Sequence, residues 1–142
     1  MMEKNGPLRD GTIMIKVQLR SNRKKDPATI DALVDTGAAM SSIPEDMALR
    51  LGIDAISEKR RSLVTTSGKY EAPAYKIWFE FGTYKKESAV FTGSRNDMPW
   101  IIIGRTILKD WDIEYNGPQQ SYRILLNPED KSDNGKGTCQ SP

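Results

Sequence analysis

Ala32-Leu33-Val34-Asp35-Thr36-Gly37-Ala38 decides how this chain is read. An apolar stretch, Thr29 to Val34, has the length and composition of a strand and runs straight into a carboxylate and a turn of small residues. The strand buries the base of Asp35 and raises the cost of ionising it. Gly37 lets the backbone approach another segment closely. Thr36 supplies a hydroxyl that can donate to a backbone group across an interface. Three letters are a weak signal, since a chain of this length holds a given Asp-Thr-Gly by chance in roughly 3% of cases at average composition. The flanking pattern must therefore carry the argument.

Upstream, Thr12 to Leu19 (TIMIKVQL) alternates in the manner of a strand, and Arg20 to Pro27 (RSNRKKDP) reads as a solvated hairpin tip, not a binding patch. Downstream, Pro44 to Leu51 (PEDMALRL) reads as a short helix: Pro44 and two acids suit its start, Gly52 ends it, and Met47, Ala48 and Leu51 give it an apolar face. Arg61 to Thr66 and Lys69 to Tyr75 form a hairpin tipped by Ser67-Gly68, and Lys76 to Phe81 and Tyr84 to Thr92 form another. The continuous apolar run Pro99 to Gly104 is a strand buried on both faces. Arg105 to Trp111 suits a short helix. Asp112 to Tyr115 and Tyr122 to Leu126 pair around the Asn116-Gly117-Pro118 turn. Residues 1–11 read as a loose arm and 127–142 as a disordered tail. Trp78, Trp100 and Trp111 each sit in an apolar stretch and are expected in the core. Asp97 and Glu114 are expected as lone surface acids. The prediction is one mostly-β domain over residues 12–126, with one or two short helices.

Composition narrows the chemistry. The 142 residues suffice for one domain, which at this size buries roughly 68–70% of the surface its unfolded chain exposes. Lys plus Arg is 21 and Asp plus Glu is 19, a balance that favours neither nucleic acid nor a membrane surface as partner. There are no histidines and one cysteine, Cys139, which excludes a histidine-based nucleophile, a histidine or cysteine-cluster zinc site and an intrachain disulfide. Acid–base chemistry here falls to carboxylates, Lys or Tyr. Neither a metal nor a cofactor is expected, because no calcium loop, P-loop or dinucleotide fingerprint is present. No apolar run approaches a membrane span, Met1 to Asp10 carries no leader-like segment, and a cytoplasmic, reducing compartment is expected.

About seventy residues beyond Asp35 lies Ile102-Ile103-Gly104-Arg105. The two segments together, in this order, resemble the paired signatures of the retropepsin-like aspartic proteases, and the resemblance runs from about Thr12 to Leu126. It implies a closed β-barrel, one lobe per chain, in which Ile103, Gly104 and Arg105 thread beside Asp35, Thr36, Gly37 and Ala38 and support them. It implies that Asp35 is catalytic and that two copies of the chain meet at a two-fold axis. Peptide hydrolysis of this kind needs two carboxylates sharing one proton, and this chain has one Asp-Thr-Gly. Thr36 is then expected to bond across the axis, and the two carboxylates to titrate as a pair. The resemblance also assigns the hairpin tip Thr65, Thr66, Ser67, Gly68, Lys69 and Tyr70 as a flap over a polypeptide substrate. Two features depart from the viral pattern. Ala39 stands where an acid would pair with Arg105, so Arg105 is expected to find Asp110, Asp112 or a carboxylate of the other subunit. The flap also holds fewer glycines.

A second reading keeps the fold as a non-catalytic dimeric module that binds a peptide or protein segment in its cleft. A third makes Asp35-Thr36-Gly37 a mere turn in an unrelated barrel, which the Ile102 to Arg105 segment argues against.

Overall fold

The computed structural model describes residues 2–22, 24–56, 61–65, 68–97 and 99–126. In chain order its elements are β1 (Met2–Pro7), β2 (Ile13–Arg20), β3 (Ala28–Val34), β4 (Ser42–Pro44), α1 (Glu45–Arg50), β5 (Arg61–Thr65), β6 (Gly68–Ala72), β7 (Ala74–Phe81), β8 (Tyr84–Ser94), β9 (Ile101–Ile103), α2 (Arg105–Leu108), β10 (Trp111–Asn116) and β11 (Ser121–Leu126). Six strands close into a barrel in the order β2-β3-β9-β4-β8-β7. The β5–β6 hairpin forms a sheet of its own, and a three-stranded sheet runs β1-β11-β10. The expected closed, mostly-β architecture with two short helices is therefore present.

The barrel follows from its sequence pattern. Along β2, Ile13, Ile15, Val17 and Leu19 point inward, while Lys16 and Gln18 face solvent. All three residues of β9 are buried, as a continuous apolar run demands when a strand is covered on both faces. β9 lies parallel to β3, with Leu33 opposite Ile102 and Val34 opposite Ile103. That register sets the end of β9 beside the residue that follows β3, which is Asp35. Phe79, Phe91, Ile43, Ile77 and Ile101 fill the interior with essentially no exposure. Phe79 also begins an aromatic cluster with Tyr84 and Trp111 that joins the barrel to β10. Helix α1 buries Met47 and Ala48 and ends at Gly52, whose φ of 71° suits glycine.

Two expectations differ from the structure. Residues 1–11 are not a loose arm, because Met2–Pro7 is a strand paired antiparallel with β11 from Met2 opposite Leu126 to Pro7 opposite Ser121. Gly6 leaves room there for the ring of Tyr122, 3.2 Å from where a Cβ would stand. The strand is an edge, which is why Pro7 and a polar outer face are tolerated. The Asp10-Gly11 turn, with φ of 52° and 77°, then returns the chain to β2. The second difference is Trp100, which is 36% exposed, whereas Trp78 and Trp111 are buried as expected. The apolar run starts before the barrel does, and β9 begins only at Ile101. The tail at 127–142 lies outside the described residues.

Candidate active site

Asp35 follows β3 directly and is half-exposed. Its backbone N–H donates to the carbonyl of Ile103 at 3.0 Å, extending the β3–β9 pairing by one bond. The chain then turns sharply. Ala38 N–H returns to the Asp35 carbonyl at 3.1 Å, and Gly37 N–H donates to the Asp35 Oδ1 at 3.0 Å. This is the Asx-type turn that a short carboxylate side chain builds against its own backbone. It fixes the side-chain rotamer without help from a distant residue.

The other side of the corner is held by Gly104 and Arg105. Arg105 N–H donates to the Ala38 carbonyl at 2.8 Å, and its guanidinium Nη1 donates to the Thr36 carbonyl at 2.9 Å. Arg105 was expected to find Asp110, Asp112 or a carboxylate of another subunit. Within the chain it takes a backbone oxygen of the candidate loop instead, and Asp110 accepts from the Tyr84 hydroxyl at 2.8 Å and from Lys109. With Ala39 supplying no acid, the Thr36 carbonyl is the acceptor within reach of the planar fork. Gly104 is required for the close approach: a Cβ there would stand 2.5 Å from the Met40 carbonyl oxygen and 2.8 Å from that of Ala38.

Sequence reading had no signal for Ser41. It is fully buried, and its Oγ accepts from Gly104 N–H at 2.9 Å and lies 3.0 Å from Thr106 Oγ1. A serine six residues past the aspartate of an Asp-Thr-Gly belongs to no pattern that periodicity or turn chemistry would single out.

Asp35, Thr36, Gly37, Ala38, Ile103, Gly104 and Arg105 are thus brought into one corner of the barrel. The hairpin positions lie in a separate sheet. Thr65 pairs with Gly68, Val64 with Lys69 and Leu63 with Tyr70, and Gly68 has a φ of 116°. Thr66 and Ser67 lie outside the described residues. A concavity of about 360 Å³ lies on the β1-β11-β10 sheet, among Asn5, Glu114, Asn116 and Arg123, and takes in no residue of the Asp35 loop. Glu114 there pairs with Arg123 at 2.9 Å, so it is not the lone acid expected. Among the described residues, no three His, Cys, Asp or Glu side chains group closely enough to hold a metal ion, and no helix is long and apolar enough to cross a membrane.

A family model described as "gag-polyprotein putative aspartyl protease" matches residues 22–110. Among solved structures, the chain is similar to a retropepsin-like aspartic protease from Rickettsia conorii, with 19% identity and a TM-score of 0.68 over 88% of this chain and 91% of that one. It is also similar to the EIAV protease complexed with the inhibitor HBY-793, with 19% identity and a TM-score of 0.55 over 70% of this chain and 86% of that one. Identities at this level speak to the fold. No curated protein matches the chain in sequence.

Proposed function

This chain belongs to the gag-type aspartyl protease family and has a retropepsin-like fold, and from that premise we propose that it is an aspartic endopeptidase, active as a homodimer on extended polypeptides. The observation that carries the reading is the Asp35 corner. One half-exposed carboxylate, locked by Gly37 and clamped to the fully buried β9 through Ile103, stands at the end of β3.

One carboxylate cannot serve as base and acid in the same step, and each chain brings only one Asp-Thr-Gly. Two copies related by a two-fold axis supply the pair. Like charges in contact disfavour double ionisation, so the pair holds one proton between its members. The ionised Asp35 takes a proton from a water as that water's oxygen attacks the scissile carbonyl carbon. The protonated Asp35 gives its proton to the carbonyl oxygen. Collapse of the resulting gem-diol breaks the C–N bond: one carboxyl proton passes to the departing nitrogen while a gem-diol hydroxyl returns its proton to the other carboxylate, restoring the singly protonated pair. No covalent intermediate forms. In this reading Thr36 bonds across the axis, and the hairpin carrying Gly68, Lys69 and Tyr70 serves as the flap that excludes water.

The test is cleavage of a diverse peptide library, read by mass spectrometry from acidic to neutral pH, with wild type beside Asp35→Asn. Asn keeps an Oδ1 that can accept from Gly37, so fold and association are expected to survive while cleavage falls by at least about a hundred-fold. Equal cleavage by the two proteins would refute the catalytic role of Asp35. A species that sediments as a monomer at every concentration, yet cleaves, would refute the shared pair.

A further inference from the structure

The reading of Asp35 leaves one buried polar residue without a part to play. Ser41 and Thr92 are the buried polar side chains among the described residues, and Ser41 has no exposure at all. A buried hydroxyl is costly unless its bonds are made, and those of Ser41 converge on the candidate site. Its Oγ accepts from Gly104 N–H at 2.9 Å and shares a hydrogen bond with Thr106 Oγ1 at 3.0 Å. Its carbonyl accepts from Thr92 N–H at 2.9 Å, which fixes Ser41 to β8, the strand that pairs with β4.

Gly104 is where such a bond has most leverage. Its neighbour Ile103 accepts from the N–H of Asp35, and its other neighbour Arg105 donates to the carbonyl of Ala38. Both clamps on the Asp35 loop therefore flank the one residue that Ser41 holds. Gly104 also lacks a Cβ, so contact from a side chain of its own cannot steady it. We infer that Ser41 is a positioning residue for Asp35: its hydroxyl anchors Gly104 and so sets where the two clamps place the carboxylate, an assignment that rests on the proteolytic reading above. A positioning bond of this sort acts on rate more than on binding, because a displacement of about 1 Å of a reacting group can cost on the order of a hundred-fold.

The experiment compares wild type, Asp35→Asn, Ser41→Ala, Ser41→Thr and Thr106→Val in two readouts. The first is amide hydrogen exchange, which needs no activity. Ser41→Ala is expected to speed exchange at Asp35, Gly104 and Arg105 by about tenfold or more, while the amide of Ile124 in the β1-β11-β10 sheet keeps its wild-type rate. Thr106→Val is expected to act in the same direction and less, and it keeps the test alive if the alanine variant fails to fold. The second readout is peptide cleavage. Ser41→Ala is expected to lower kcat about tenfold with KM within a factor of two, and Ser41→Thr, which restores the hydroxyl, to recover most of that loss. Unchanged exchange at the three amides overturns the assignment, as does a folded Ser41→Ala with wild-type kcat. If wild type and Asp35→Asn cleave alike, the proteolytic reading fails, and the anchoring of the Asp35 loop by Ser41 stands or falls on the exchange data alone.

Discussion

Gly104 and Gly68 both stand where a residue without a side chain is needed, and for opposite reasons. Gly104 is crowded. Backbone atoms of Met40 and Ala38 would stand 2.5–2.8 Å from any Cβ, although its φ of −101° is open to other residues. Gly68 has no heavy atom within 4 Å of where a Cβ would stand, but a φ of 116° that L side chains rarely adopt. The corner around Asp35 is thus defined by packing from outside, and the β5–β6 hairpin by the local bend of its own chain. A corner of the first kind holds a group still. A hairpin of the second kind keeps its bend through its own backbone.

The comparison predicts a graded series. Gly104→Ala should do most harm, because neither clashing neighbour is a side chain that can swing away. The expected loss is about 3 kcal/mol, roughly 10 °C in Tm by calorimetry, and a Tm within 2 °C of wild type would show the crowding to be relaxable. Arg105→Met keeps the aliphatic stem and removes the donor to Thr36, so about 1 kcal/mol of stability should go, with peptide cleavage falling further than stability does. An Arg105→Met enzyme of full activity would cut Arg105 out of the corner. Gly68→Ala should cost roughly 1 kcal/mol in backbone strain, and its mark on cleavage should fall on KM through the hairpin, not on the pH profile. The control lies outside both regions. Lys16 donates to Asp31 at 2.8 Å on the surface, and that bond holds the Asp31 carboxyl below the usual carboxylate range, with its modest burial opposing. A lowered carboxylate contributes stability above its unfolded pKa and loses it as pH falls through the folded one. Lys16→Met should therefore cost less than about 1 kcal/mol near neutrality, and the gap to wild type should close in acid. A gap that persists at low pH would mean that the lysine stem, not its charge, matters.

What could be read from the sequence followed from how local each cause was. Ile101, Ile102 and Ile103 are buried on both faces, and an unbroken apolar run of that length has few other uses. Asp35 through Ala38 announced themselves because a turn of small residues after an apolar strand is a pattern within one window. Met2–Pro7 was illegible for the opposite reason. Its residues alternate between half-buried and exposed, and nothing in MEKNGP favours a strand until β11 offers a partner 124 residues away at the Met2–Leu126 end of the ladder and 114 at the Pro7–Ser121 end. Trp100 misled because an apolar neighbourhood does not say where the barrel wall begins. The partner of Arg105 was sought among carboxylates since charge suggests charge, yet a backbone carbonyl already in place requires no second charge to be desolvated. Ser41 was invisible because its three partners, Thr92, Gly104 and Thr106, lie 51 to 65 residues off, and only the closed barrel brings them to it.

The pairing of β1 with β11 has a consequence for how the protein is made. Among the described strands β1 is synthesised before the others and takes as its partner the last of them, β11. At about 5–20 residues per second, Pro7 waits roughly 6–23 s for Ser121 to be synthesised. Over that interval residues 2–7 are an unmatched strand in a growing, half-finished chain. Their polar outer face, with Glu3, Asn5 and Pro7 exposed in the finished sheet, suits a segment that must stay unattached until its partner arrives.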